Sequence, residues 1–142
     1  MLLAVSSVAC RENSPSAPTS VPLSVTGTWT GDLSLLGGTS ARMTWTLVQS
    51  GSAAGGPVHV VLPSGVVLMN GVLAGTLSGS VLTYTITISP GGIDSRPACT
   101  GQLAGTVTAT ISAVSTLAGS YAVTASTCPT PFSTGTFTLT KQ

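Results

Sequence analysis

The chain has 142 residues, a length typical of a single domain, and a formal net charge of +1 at pH 7. Only 5% of its residues are charged, against about 25% in an average protein, so it offers no basic surface for nucleic acid or for an anionic membrane. Hydrophobic residues make up 42% of the chain and recur periodically, which argues against disorder. Threonine, serine and glycine supply much of the remainder. Solubility that rests on hydroxyl groups favours an exported protein over a cytosolic one.

The N-terminal stretch 1–9 is apolar and ends in small residues directly before Cys10. It is too short to span a bilayer as a helix, but it fits the apolar segment of a signal peptide that is processed before Cys10. The stretch resembles the lipobox of bacterial lipoproteins, although Ser7 stands where that family usually has leucine. The resemblance implies that Cys10 is lipidated and anchors the mature protein to the cell envelope. The alternatives are an ordinary cleaved signal, which would make the protein secreted, and a chance apolar N-terminus with a free thiol.

The segment 10–24 is rich in proline and serine and poor in apolar residues. Such a composition cannot offset the entropy lost on ordering, so we predict a disordered, extended tether. The folded body is predicted to occupy 25–142.

The first predicted strand, 25–33, alternates with a period of two. Its apolar face holds Val25, Gly27, Trp29, Gly31 and Leu33, and its other face holds threonines and an aspartate. A tryptophan flanked by glycines suits a sharply curved strand, because neighbouring backbone must approach the ring closely.

Seven further strands are predicted from the same alternation of apolar residues with threonine or serine. They cover 43–48, 58–62, 66–76, 81–89, 106–112, 117–125 and 136–140. The glycine-rich stretch 51–57 is interpreted as a break between strands, and Ile111 and Ala125 are assigned to the inward faces of their strands. No window shows helical periodicity.

Eight short antiparallel strands form either a closed barrel or a two-sheet sandwich. The chain lacks the lysines and other charges that protect exposed strand edges, and closure removes such edges. Glycine and alanine are frequent on the apolar faces, which suits a narrow interior. We therefore predict a single all-β, up-and-down, eight-stranded antiparallel barrel, with a β-sandwich as the alternative.

The motif Gly27-Thr28-Trp29 at the start of an eight-strand meander resembles the first strand of lipocalin-like and avidin-like (calycin-type) barrels. The similarity in strand number extends over about 25–141. In lipocalins that tryptophan packs under a basic side chain near the last strand, and the resemblance implies this role for Lys141 or Arg42. In avidin-like proteins an asparagine and a serine bind biotin, but Gly31 and Leu35 occupy those positions here, so biotin binding is not expected.

Cys99 and Cys128 are the two cysteines left once Cys10 is assigned to the anchor. In an exported domain we expect them to form a disulfide. A metal site or a thiol nucleophile would need further ligands or a base, and the single histidine, His59, is far away in sequence. We interpret His59 as a surface or hydrogen-bonded residue.

The sequence contains no recognisable catalytic motif. Paired carboxylates, a Ser-His-Asp set, a Cys-His set and a phosphate-binding glycine motif are all absent from the sequence, so we expect no enzymatic activity, no metal and no cofactor. Asp32 and Arg42 are expected to face each other on the outer surface, where such a pair contributes under about 1 kcal/mol. Asp94 and Arg96 lie together on the loop before Cys99, which suits either a ligand-gripping loop or a merely solvated one.

The expected function is that of a lipid-anchored envelope barrel that is either filled or holds a small apolar ligand at one mouth. The interior aromatic residues proposed to line such a cavity are Trp29, Trp45, Tyr84, Tyr121 and Phe137. The alternative is a protein-interaction module, such as an inhibitor of secreted hydrolases or a surface scaffold, whose partner would bind loops 35–41, 50–57 or 90–98.

Overall fold

The computed structural model describes residues 23–131 and 133–142. The predicted signal peptide 1–9, the proposed lipidation site Cys10 and most of the predicted tether 10–24 lie outside these residues. The strands are β1 (Gly27–Ser34), β2 (Ser40–Ser50), β3 (Ala53–Val61), β4 (Val67–Ser78), β5 (Val81–Ile88), β6 (Gly101–Thr110), β7 (Thr116–Ser126) and β8 (Thr134–Lys141). Over the described ranges no helix is long and apolar enough to cross a membrane.

The eight strands form a closed barrel in which each strand pairs with its neighbour in sequence and β1 pairs with β8. All pairings are antiparallel, and at the seam Trp29 lies opposite Lys141 and Thr30 opposite Thr140. The predicted up-and-down barrel is therefore confirmed, and the sandwich alternative is excluded. Closure gives every strand two partners, so this weakly charged sheet has no long free edge.

The interior is formed by the apolar faces predicted from the alternation. Trp29 and Trp45 are 0% exposed and lie opposite each other on β1 and β2. Ile86 on β5 and Leu139 on β8 are equally well buried, whereas the threonines between the inward-facing residues lie mainly on the outer surface. The described residues include no buried charged side chain.

The break predicted over 51–57 is confined to the turn at 51–52, because β3 already begins at Ala53. Ala54 is buried, and Gly55 and Gly56 run close to both neighbouring strands. A Cβ at Gly56 would overlap the carbonyl oxygen of Thr46, and one at Gly55 would lie 2.8 Å from the carbonyl oxygen of Leu73. The glycines that suggest a loop in the sequence instead allow β3 to pack tightly between β2 and β4.

Two residues assigned to the apolar interior are exposed. Ile111 follows the end of β6 and is 51% exposed, because the chain turns away from the barrel after Thr110. Ala125 is also exposed at the end of β7. The pairing register between β6 and β7 shifts at Gln102/Leu103, and such an irregularity moves the following side chains out of the simple alternation.

The barrel has two different ends, which follow from the strand order. The long-loop end carries the connections 35–39, 62–66 and 89–100, together with 127–131 and 133. The short-turn end carries the turns 51–52, 79–80 and 111–115, together with the N-terminal segment 23–26 and the C-terminus.

Candidate ligand cavity at the mouth of the barrel

The short-turn end is closed by the segment 23–26 and by Trp29. Val25 is 0% exposed, and its carbonyl oxygen accepts a hydrogen bond of 2.8 Å from Trp29 Nε1. Its amide donates to Gln49 Oε1 at 2.8 Å, and Gln49 Nε2 donates to the carbonyl of Leu23. This network satisfies the backbone of the segment and closes the base of the barrel.

Lys141 covers Trp29 from the last strand, with Nζ 5.4 Å from the ring centroid. Gly27 gives the lysine room, because a Cβ there would lie 2.8 Å from Lys141 Cε. The basic partner that the lipocalin resemblance implies is thus Lys141. Arg42 instead pairs with Asp32 across β1 and β2, at 3.6 Å and with both side chains largely exposed.

The middle of the barrel is filled by aromatic rings, most of which meet in edge-on contacts. The Trp45 ring centroid lies 4.9 Å from that of Tyr84 and 5.3 Å from that of Phe137, and Tyr121 packs on Phe137 at 6.2 Å. Ring contacts of this kind add to the free energy gained from burial. The centre of the interior is therefore a packed aromatic core.

Polar atoms in this core differ in how well they are paired. The Tyr84 hydroxyl donates to the carbonyl of Ser120 at 2.9 Å. Burial raises the pKa of the Tyr84 hydroxyl far above its usual range, and the neighbouring Tyr121 adds to the shift; burial also raises the pKa of Tyr121. Among the described residues, Trp45 Nε1 is the buried side-chain polar atom that has no hydrogen-bond partner.

At the long-loop end the interior opens into a cavity of about 360 Å³, which we call the mouth cavity. It lies between the ends of β4 to β7 and the two connections that flank β6 and β7. Its apolar lining consists of Leu68, Met69, Ile88, Ile93, Leu103, Val123, Ala125, Pro129 and Pro131. Its polar lining consists of Ser95, Arg96, Thr100, Gln102, Ser126 and Thr130, with Gly101. Concave sites with mainly apolar walls and a few polar groups are typical of small-molecule binding.

A disulfide between Cys99 and Cys128 joins the two connections that border the mouth cavity, as the sequence predicts. The two Cα atoms are 5.7 Å apart, and the cysteines are 29 residues apart in sequence, within the range that disulfides span. The bridge therefore fixes both walls of the cavity opening relative to each other.

The aromatic residues proposed to line a ligand cavity lie deeper than the mouth cavity. Trp29, Trp45, Tyr84, Tyr121 and Phe137 are all at most 6% exposed, and none of them borders the mouth cavity. Four of them form the central aromatic core, while Trp29 lies towards the closed base. A role for these five in ligand binding stays a prediction.

The remaining candidate residues lie elsewhere. His59 is exposed on β3, with Nδ1 2.5 Å from Asn70 Oδ1 on β4. Within residues 23–131 and 133–142, no group of three or more metal-ligating side chains comes together. The mouth cavity is formed largely by strand ends and loop prolines. An alternation of apolar and polar residues does not show that these segments come together, so the sequence did not predict the cavity.

Comparison with known proteins gives the class of the molecule. No protein-family model matches the chain, and no curated protein matches it. Among solved structures it is similar to a redesigned β-barrel, mFAP1, bound to DFHBI. The two chains are 13% identical with a TM-score of 0.56, over 82% of this chain and 94% of that chain. At this identity the likeness shows the fold alone, so the protein is a closed eight-stranded antiparallel β-barrel.

Proposed function

We propose that the protein is an exported, lipid-anchored cell-envelope barrel that binds a small apolar ligand in the mouth cavity and catalyses no reaction. The observation that carries this proposal is the contrast between the two ends of the barrel. The base is closed by Val25 and the centre is filled, whereas the long-loop end has an apolar cavity of about 360 Å³.

The lining of the mouth cavity supports an apolar ligand. Met69, Ile88 and Leu103 are buried residues of the barrel that also line the cavity. A ligand that covers such surface gains about 25 cal/mol for each Å² of apolar area removed from water. The volume lies towards the lower end of the range for small-molecule sites, about 300–1,000 Å³, which favours a compact ligand. The similar barrel mFAP1 was solved bound to DFHBI, so a barrel of this architecture can accept a small molecule.

The proposed location rests on the cysteines. A disulfide such as Cys99–Cys128 persists in oxidising compartments and is rare in the cytosol. The lipobox resemblance at Cys10 adds a lipid anchor. Mass analysis of the mature protein, purified from a bacterium that processes lipoproteins, tests both points. Acyl chains on an N-terminal Cys10, lost in C10S, are the expected result, and an unacylated N-terminus beyond Cys10 would contradict the anchor.

The alternative of a protein-interaction module gains less support from the surface. Among the described residues of loops 35–41, 50–57 and 90–98, Leu36 is the one large apolar side chain that is exposed, at 71%. One such residue does not form the contiguous apolar patch that marks a protein interface.

A matched pair of substitutions on β7 tests ligand binding. Ala125 lines the mouth cavity and is exposed, so Ala125→Trp is expected to occupy the cavity without disturbing the core. Ala118 faces outward on the same strand, so A118W is the control for the added indole. The probe is N-phenyl-1-naphthylamine, a neutral apolar dye whose fluorescence rises in apolar surroundings.

We expect the wild-type protein and A118W to bind this dye and A125W to bind it at least about tenfold more weakly, the effect of losing roughly 1.4 kcal/mol of contact. Failure of the wild-type protein to bind this dye and a panel of other small apolar compounds would refute the proposal. Equal binding by A125W and the wild-type protein would move the site away from the mouth cavity.

A further inference from the structure

One charged side chain lines the mouth cavity, and it belongs to Arg96 on the β5–β6 connection. All other lining residues are apolar or neutral. In a chain with only 4 lysines and arginines, a cation at the rim of an apolar cavity is a specific feature.

The backbone around Arg96 is held in place. The amide of Arg96 donates to the carbonyl of Ile93 at 2.9 Å, and its carbonyl accepts from the amide of Cys99 at 2.9 Å. The amide of Gly91 bonds to the carbonyl of Pro97 at 2.7 Å, and Cys99 is tied to Cys128 by the disulfide. The loop therefore holds the backbone of Arg96 at a defined place on the rim.

The guanidinium of Arg96 has no partner within the described part of the chain. Among the described residues, the recorded ion pair joins Arg42 and Asp32 on the barrel wall and does not involve Arg96. The Arg96 side chain also makes no hydrogen bond to these residues. Asp94 lies two residues away on the same loop but does not pair with it. The donors of Arg96 are therefore free to bind a ligand.

Two of the hydroxyl groups that line the cavity near Arg96 are already hydrogen-bonded. Thr100 Oγ1 lies 3.4 Å from Thr127 Oγ1, and Ser126 Oγ donates to the carbonyl of Cys128. Arg96 is the one lining group that also carries a charge, so it is the group best suited to bind an anionic head.

We infer that the ligand is an amphipathic anion, a compact apolar body ending in a carboxylate, and that Arg96 binds the carboxylate at the rim while the apolar body occupies the cavity. This inference rests on the proposed function. A guanidinium donates two parallel hydrogen bonds to a carboxylate, and the apolar walls exclude a ligand that is charged along its length.

The test compares octanoate with 1-octanol, which share an apolar chain and differ in the head group. Each competes with bound N-phenyl-1-naphthylamine on the wild-type protein, R96Q, R96K and R42Q. Arg42→Gln is the matched control, because it removes the same charge from the outer wall of the barrel. The measured quantity is the affinity for octanoate divided by the affinity for 1-octanol.

We expect this ratio to fall about tenfold in R96Q, the scale of one charge-assisted hydrogen bond at a partly exposed site. R96K should retain part of the ratio, because lysine keeps the charge without the paired donors, and R42Q should leave it unchanged. A ratio that survives in R96Q, or that falls equally in R42Q, would overturn the inference while leaving apolar binding intact. Failure of the dye and both competitors to bind the wild-type protein would instead remove the proposed function.

Discussion

The two tryptophans provide a sharp test of how polar atoms contribute to the barrel. Trp29 and Trp45 are both 0% exposed and lie opposite each other on adjacent strands. Trp29 Nε1 donates to the buried carbonyl of Val25 at 2.8 Å, whereas Trp45 Nε1 has no partner. Replacing each by phenylalanine removes a similar volume and the same N–H group from the core, but only the N–H of Trp29 is hydrogen-bonded.

The magnitudes follow from this difference. The lost volume costs each variant roughly 1–3 kcal/mol. Trp29→Phe also leaves the Val25 carbonyl buried without a donor, at a cost of about 1–3 kcal/mol. Trp45→Phe loses no hydrogen bond and recovers part of the desolvation cost of an unpaired N–H, about 1 kcal/mol. We therefore expect W29F to be less stable than W45F by roughly 2–3 kcal/mol.

Urea unfolding at equilibrium, with the disulfide intact, measures both free energies. Each variant keeps a single tryptophan, because the chain has 2, so the remaining indole reports the transition. The contact with Lys141 is a minor addition of about 0.5–1 kcal/mol at an exposed lysine, and comparison of K141M with K141M/W29F corrects for it. Equal stabilities, or a less stable W45F, would refute the reasoning.

Two further predictions concern the disulfide and alkaline pH. Replacing both Cys99 and Cys128 by serine should lower the free energy of unfolding by about 3–4 kcal/mol in the chain-entropy model for a loop of this length, which calorimetry measures. The same variant should bind the dye more weakly at the mouth cavity in a titration. Unchanged affinity would show that the bridge does not shape the cavity. Because burial raises the pKa of Tyr84 above its value in the unfolded chain, the neutral hydroxyl is favoured by folding. Its contribution is fully present below about pH 10, the ordinary tyrosine pKa, and is lost as the pH rises from there towards the folded-state pKa. Unfolding experiments from pH 8 to 12 should show stability falling above about pH 10, with a smaller fall in Y84F; a profile that Y84F leaves unchanged would contradict this.

Much of the fold was predictable because the chain encodes inside and outside residue by residue. The alternation of Leu82, Tyr84 and Ile86 with threonines fixes the face of β5, and the scarcity of charge at the edges favours closure. Local signals failed where tertiary contacts decide the conformation. Gly55 and Gly56 form a strand between two close neighbours, although a pair of glycines before a proline suggests a loop.

The candidate site was less predictable than the fold. The sequence identifies large interior side chains such as Trp45 and Phe137, but close packing of these rings fills the centre of the barrel. The mouth cavity depends on how strand ends and two disulfide-linked connections converge, and on the register shift near Ala125. Arg96 was noticeable only as one of two loop charges, because pattern alone does not say which of them faces a cavity.

The position of Val25 gives the molecule a direction. The polypeptide joins the barrel at its sealed base, where Gln49 holds the incoming backbone, while the opening lies at the opposite pole. A lipid on Cys10 would therefore hold the barrel through the pole opposite to the aperture, and a flexible tether would leave the aperture open to the surrounding aqueous phase.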